Sequence, residues 1–461
     1  MGSTSILILV TALLAAFFPG CNSKNVLPPV GGGNSPSPGM SPSGVVSGSP
    51  PCTTLSAVVV VQGGNCPSPG AVALMPTPTP PGSNVPATAP PNTNTGSMSP
   101  AIHVPSGFTG DIIANFGARE LAFLPNGDLL AGTRGQSIVI IPNAEAAVPG
   151  KSQNFITLPD PNADGVAYGP DGNIYVGTMH HLWKIPYTAG AQSEPNSSAQ
   201  IIATYRQGGI PAGSDGDQHN DSSVAITSNT IYVGVGSSCN ACTEIDPTRA
   251  AIQSLSLGAP GPMTEVAKRI RNPLAMTINP ATGTLWAGGP GQDNLPYGHP
   301  YEYLDPVTLH AAPADYGWPV CEENNDPFKS GANCTGTVAP ILETYAYSTH
   351  IGAAFYPVNQ GGAYVFPQAY RGGLFVGSHG SWHCCPSTIP KVEFFAMNGD
   401  SPAIPVTWSD PTTQWSAFLY DTTTSTANST YKERFTGIAV GPQGSLFVGD
   451  DNAPGIYRIR P

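Results

Sequence analysis

Charge is scarce in this sequence. Of its 461 residues, 10% are Asp, Glu, Lys or Arg, with 17 basic against 29 acidic side chains. A net charge of -12 argues against nucleic acid as a partner, because phosphate binding needs a basic face. Long hydrophobic runs are scarce too. Residues 5–18, SILILVTALLAAFF, match a signal peptide in length and are too short for a comfortable membrane span. There is no haem attachment motif: in CNACT (239–243), Thr243 stands where His is required. No second ligand pair completes a zinc spacing around that motif. What is plentiful is glycine (54) and proline (51), a turn-rich composition that suits an all-β protein with many loops.

Residues 1–21 read as a signal peptide. Gly20-Cys21 after the apolar run resembles a bacterial lipoprotein cleavage site. Two features depart from that pattern: no Lys or Arg precedes the run, and Pro19 is unusual there. The expectation is an exported protein, periplasmic or anchored to the envelope through a lipid on Cys21; the alternative is a plain signal peptide with Cys21 discarded. The other eight cysteines fall in sequence-close pairs, Cys52/Cys66, Cys239/Cys242, Cys321/Cys334 and Cys384/Cys385. Even, paired counts in an exported chain suggest disulfides. A bond from Cys384 or Cys385 to Cys239 or Cys242 competes with that pairing. Residues 22–102 are dominated by Pro, Ser, Gly, Thr and Asn and cannot bury enough apolar surface to offset ordering entropy. They read as a disordered tether, interrupted by one small Cys52–Cys66 loop.

From residue 103 to 461 one phrase recurs: short apolar strand, Gly turn, strand ending in Val-Gly or Ala-Gly. The copies are ELAFLPNGDLLAGTR (120–134), GVAYGPDGNIYVGTM (165–179), SVAITSNTIYVGVGS (223–237), LAMTINPATGTLWAGGP (274–290), GAYVFPQAYRGGLFVGS (362–378) and GIAVGPQGSLFVGDD (437–451). Asn/Asp/Thr-Gly turns between apolar runs are hairpin signals. Copies 45 to 90 residues apart predict a six-bladed β-propeller with four strands per blade; an array of β-sandwiches is the alternative. Radial packing would bring the loops after each Val-Gly end to one mouth of a central channel. Among those loops, His219 stands between Asp217 and Asp221, an arrangement that suits a general base, although a surface-loop histidine is the plainer reading.

Several motifs in register go further. RNPLAMTINPATGTLWAGGPGQDNL (271–295), YEYL (301–304), YGWP (316–319), HNDSSVAI (219–226), SSCN (237–240), IDPTRAAI (245–252), FPQAYRGGLFVGSHGSW (366–382) and ERFTGIAVGPQGSLFVGDD (433–451) together resemble the glucose/sorbosone dehydrogenases, nearer the sorbosone branch. That family consists of soluble six-bladed quinoproteins using pyrroloquinoline quinone and calcium. The resemblance implies that His219 is the general base and that Arg271 faces the reactive carbonyl oxygen of the quinone, with Asn272 beside it. It places calcium on the GPGQD loop through the backbone carbonyls of Gly291 and Gln292, as hard oxygen donors suit that ion. Arg434, Lys391 and Arg119 become candidates for holding cofactor carboxylates. Glu302 and Tyr316 become candidates for a second, structural calcium.

His379 and Trp382 in LFVGSHGSWHCCP (374–386) are expected at the mouth, with Trp382 able to stack on a planar cofactor. Packing of Trp382 between blades, or simple loop capping by His379, are the plainer roles. Cys384–Cys385 suggests a vicinal disulfide. Four positions depart from the family pattern: Ser222 replaces an expected Arg, Pro290 a polar residue, and His383-Cys384 an Asn-Arg pair. The implied activity is oxidation of a sugar, or a sugar-derived aldehyde or alcohol, by hydride transfer to the quinone. Electrons would pass to an external quinone or cytochrome, since the chain has no haem motif. A non-catalytic propeller that binds ligands and a lactone-hydrolysing propeller are the alternatives.

Overall fold

The computed structural model describes residues 96–99, 101–212, 217–258, 260–295, 299–322, 326–327, 331–381, 388–421, 433–452 and 455–461. Among them the chain is all-β apart from three single-turn 3-10 segments, and it forms six sheets of four or five strands, antiparallel throughout except for Ala314–Asp315, which adds to Thr264–Lys268 in parallel. The innermost strands are Leu121–Phe123, Gly165–Tyr168, Ser222–Ile226, Ala275–Ile278, His350–Phe355 and Phe435–Val440. Each touches the next in order, and the last touches the first, so the sheets are the blades of a closed six-bladed propeller. All six inner strands line one central channel of about 290 Å³.

The ring is shut by hydrogen bonds between the two ends of the domain. Thr109–Ala114 pairs with Ile456–Arg460, so the last blade takes its fourth strand from the start of the domain. Strand pairing begins before residue 103: Gly96–Ser97 pairs with Thr109–Ala114, and Ile102–His103 adds an edge to the fifth blade. Such pairing leaves few unprotected edges.

The recurring glycine has a steric cause. Gly377 is the next-to-last residue of the second strand of blade five, and a Cβ there would fall far inside contact distance of the Thr436 carbonyl in blade six. Gly132, in the matching position of blade one, meets the Asp164 carbonyl of blade two in the same way. The blades pack backbone to backbone at this level, so the sequence phrase is a packing constraint between neighbours. Gly377→Ala is therefore expected to cost about 1–3 kcal/mol of folding stability, read as a lowered denaturation midpoint. An unchanged midpoint would remove this explanation of the repeat.

Five of the six repeat copies cover the inner two strands of a blade; the fifth does not. Its first half, 362–366, forms no strand, and the inner strand of that blade is His350–Phe355, earlier in the chain. The segment between carries Tyr356, Phe366 and Tyr370, all fully or almost fully buried in the core shared by blades five and six. Tyr356 donates its hydroxyl to the Gly444 carbonyl and accepts from the Phe366 amide, both at 2.8 Å. The apolar residues that looked like a strand are a packed loop.

The paired cysteines behave as their spacing suggests: Cys239–Cys242 and Cys321–Cys334 are disulfides. Because Cys239 and Cys242 bond each other, the competing bond from Cys384 or Cys385 is overturned. Cys21, Cys52, Cys66, Trp382, Cys384 and Cys385 lie outside the described residues.

Candidate active site

One cavity of about 650 Å³ opens where the inner strands begin and the second strands end. Its wall includes Arg119, His219, Arg271, Asn272, Gly291, Glu302 and His379, drawn from loops across the sequence. Five of its non-glycine residues, Asn162, His219, Asn294, Tyr347 and Thr349, hold a left-handed φ between 44° and 67°. Strain of this kind persists where the surroundings over-determine it and gathers at functional sites.

His219 is held in a single tautomer. Its Nδ1 lies 2.8 Å from Ser237 Oγ and 3.1 Å from the Ser237 carbonyl. Ser237 Oγ spends its proton on the Cys239 carbonyl at 2.7 Å, so both neighbours of Nδ1 can only accept. Nδ1 therefore carries the proton, and Nε2, which has no partner among the described residues and is not sealed off, presents a bare lone pair to the cavity. Burial, reinforced by the Arg271 charge, pulls the His219 pKa down to about 3, so the ring stays neutral. The loop beneath it is braced by Arg206, a buried residue of blade two. Its guanidinium donates to the carbonyls of His219 at 2.9 Å and Asn220 at 3.1 Å, and to Ser222 Oγ at 2.9 Å. A guanidinium thus stands against Ser222, supplied from elsewhere in the chain.

Arg271 precedes the inner strand of blade four and is 5% exposed. Nε donates to the Asn240 carbonyl at 3.1 Å, Nη1 to the Pro290 carbonyl at 3.3 Å, and Nη2 to Asn240 Oδ1 at 2.9 Å and Asp293 Oδ2 at 3.0 Å. These bonds fix a positive charge in the wall. Beside it, Asn272 Oδ1 is buried with no hydrogen-bond partner among the described residues. Gly291 and the Asp293 carboxylate line the same side and offer the hard oxygen chemistry that calcium takes. The Gln292 side chain turns away and donates to the Pro319 carbonyl at 3.2 Å.

Opposite lies a charge cluster around Arg119. Its Nη1 meets Asp451 at 2.9 Å, its Nη2 meets Asp221, and its Nε lies 3.5 Å from Asp164. Burial opposes the Arg119 charge, but the three carboxylates hold its pKa above the ordinary arginine value. Burial and then the Asp221 charge push Asp164 well above the usual carboxylate range. His379 Nε2 joins the cluster through Asp451 at 2.9 Å, and burial lowers its pKa. Arg119 is thereby committed to carboxylates of its own chain. Glu302 accepts from the His350 amide at 3.2 Å, and burial raises its pKa to about 7.

Three other expected site residues fall outside the cavity wall. Lys391 is fully buried inside blade five, paired with Glu393 at 3.0 Å and set over the Trp415 ring. Arg434 donates to the carbonyls of His379 at 3.0 Å, Gly380 at 3.1 Å and Ser381 at 2.6 Å, bracing the loop that carries His379. Tyr316 donates to Asp305 at 2.7 Å and stacks on Tyr303, apart from Glu302. Conversely, Arg134, Asn240, Asp293 and Tyr347 line the cavity and were not singled out from sequence. The available signal was position, since Arg134 and Asn240 follow a second-strand glycine and Asp293 lies inside the GPGQD motif.

Cys239, Cys242 and Glu244 come within metal-ligand range of one another, but the sulfurs are joined to each other and supply no thiolate.

No protein-family model and no curated protein matches the chain. Solved structures do. The calcium structure of a Trichoderma reesei carbohydrate-active enzyme of family AA12 superposes with a TM-score of 0.63 at 18% identity, covering 80% of this chain and 98% of that one. The holo pyranose dehydrogenase PQQ domain of Coprinopsis cinerea gives 0.63 at 18%, over 78% and 97%. The apo soluble aldose sugar dehydrogenase of Escherichia coli gives 0.52 at 17%, over 77% and 99%. At these identities the likeness is one of fold.

Proposed function

We propose that the cavity binds pyrroloquinoline quinone with calcium and oxidises a CH–OH group of a sugar or sugar-derived aldehyde or alcohol. The observation that carries this reading is the bare, unprotonated Nε2 of His219 facing a cavity whose wall holds the fixed charge of Arg271. The cavity's volume lies in the range of cofactor sites. Asn272 and the carboxylate of Asp293 line the cavity and supply polar chemistry of the kind a quinone with a divalent ion requires. Bound there, the quinone supplies the carbon that accepts hydride. His219 takes the proton of the substrate hydroxyl at Nε2, while the Nδ1 proton is held by Ser237. Arg271 stabilises negative charge developing on an oxygen brought against it, with no reorganisation because its fork is already anchored. Glu302 lies close enough to the wall to orient substrate hydroxyls. Electrons leave to an external acceptor, and the exported location read from residues 1–21 belongs to the same proposal.

The names of the structural neighbours support a sugar dehydrogenase, and the motif resemblance puts sugar-derived aldehydes among the first substrates to try. A lactone-hydrolysing reading is disfavoured by Arg119, which engages the three convergent carboxylates. The test is reconstitution: dye reduction with an aldose panel is expected only after both calcium and the quinone are added. Turnover without the quinone would overturn the reading.

The pH dependence follows from His219. With its pKa depressed, the base form is present at every pH above about 3 and is lost only as pH falls through that value. The pH profile of kcat/KM should therefore lack an acidic limb near pH 6.5. A limb there that vanished in His219→Asn would contradict this.

A further inference from the structure

Between the two proposed catalytic groups lies the Cys239–Cys242 loop, and its tip residue, Asn240, makes five hydrogen bonds. Its Oδ1 accepts from Arg271 Nη2 at 2.9 Å and from the Asp293 amide at 2.7 Å. Its carbonyl accepts from Arg271 Nε and Trp318 Nε1, both at 3.1 Å. Its Nδ2 donates to the Asp293 carbonyl at 3.0 Å. The same short run grips the histidine side: Ser237 Oγ holds His219 Nδ1, and the Ser238 carbonyl accepts from the Gln218 amide at 3.1 Å. The Ser237 amide, in turn, donates to the Arg271 carbonyl at 2.8 Å. Residues 237–240 are thus a splint laid across His219 on one side and Arg271 with Asp293 on the other.

The splint is stiffened twice. The disulfide closes the loop at Cys239 and Cys242, and Cys239 packs against Ala250 and Trp318. Glu244 staples its base, accepting from the Ser238 amide at 2.6 Å and Ser238 Oγ at 2.8 Å. A loop held this way does not drift, so its hydrogen bonds transmit position rather than merely filling valences.

We infer that Asn240 is a positioning residue that sets the place of the Arg271 guanidinium, and of the Asp293 loop, relative to His219, with the Cys239–Cys242 disulfide as its brace. This rests on the quinone-dehydrogenase reading for its catalytic consequence, but the positioning itself can be read without cofactor. In the apo protein, Arg271 is gripped by Asn240, and its modification by phenylglyoxal, followed by peptide mass mapping, should be slow. Asn240→Ala should speed modification of Arg271 about tenfold, and Cys239→Ser/Cys242→Ser should do the same, with Arg119 and Arg206 unaffected. Asn240→Asp keeps the acceptor for Arg271 and should hold modification within about threefold of wild type.

In reconstituted protein, Asn240→Ala should lower kcat about 10- to 100-fold while KM for the sugar changes less than threefold. Asn240→Asp should recover part of that loss. Unchanged Arg271 reactivity in both Asn240→Ala and the double serine variant would overturn the inference. So would a fall in melting temperature that accounts for every change equally in Asn240→Ala and Asn240→Asp. If wild type shows no turnover with any aldose, the functional reading fails, and Arg271 reactivity still decides the role of Asn240.

Discussion

Replacing His219 with Gln should lower kcat/KM by roughly a hundred- to ten-thousand-fold while leaving quinone affinity within a few-fold of wild type. The reasoning is local. Nδ1 is locked as a donor because Ser237 Oγ has already given its proton to the Cys239 carbonyl. Nε2 is therefore the basic atom, and burial beside Arg271 keeps it unprotonated. Glutamine fills similar space and can hydrogen-bond, but it cannot take a proton near neutral pH. Stopped-flow reduction of the bound cofactor by an aldose would read the step directly. A Gln variant reducing its cofactor at the wild-type rate would remove His219 from the chemistry. Ser237→Ala offers a graded companion, since the Ser237 carbonyl still accepts from Nδ1 and a smaller loss is expected.

Removing Arg271 is expected to have the second largest effect, a loss of about a hundred- to a thousandfold in kcat, as for other fixed groups that stabilise developing negative charge. Arg271→Ala also leaves the Asp293 carboxylate without its cation and takes one of two donors from Asn240 Oδ1, so cofactor affinity should fall as well. Arg271→Lys keeps the charge but not the fork and should recover only part of the rate. Single-turnover kinetics, alongside a cofactor titration, separate the two effects. A wild-type kcat in Arg271→Ala would show that the charge in this wall does not act in the rate-determining step.

The propeller was legible in the sequence because its repeat has a mechanical cause. A glycine recurs near the end of each second strand; at Gly132, Gly177, Gly234 and Gly377 the next blade's backbone passes too close for a Cβ, and at Gly288 the blade's own third strand does, so the fold writes its own period into the chain. The fifth copy misled because Tyr356, Phe366 and Tyr370 are apolar for burial in a loop, and apolar runs do not announce whether a strand or a packed loop buries them. Cys239–Cys242 and Cys321–Cys334 were legible because they span 3 and 13 residues.

The convergence of His219, Arg271, Asn272, Gly291 and His379 was legible through the motifs that carry them and the radial logic of the blades, whereas Glu302, expected with Tyr316 at a second calcium, joins the same cavity wall instead. The destinations of the other basic residues were not. Arg119 meets Asp221 and Asp451, 102 and 332 residues away, and a sequence displays a charge without showing which partner neutralises it. Arg434 spends its guanidinium on three carbonyls of the loop that carries His379, and Lys391 is closed off against Glu393. Arg206 drew no notice because its role, bracing the loop that ends in Ser222, exists only once blades two and three are side by side. Asn240 sat in a motif that invited a search for haem or zinc; its importance comes from the neighbours it reaches across space.

The most direct measurement is an equilibrium titration of pyrroloquinoline quinone into the calcium-loaded protein, followed by addition of an aldose. One equivalent should bind with micromolar or tighter affinity, and the sugar should then reduce the bound quinone in wild type but not in His219→Gln. Failure of the quinone to bind at micromolar concentrations with calcium present would contradict the proposed redox site and leave a propeller whose cavity serves another ligand.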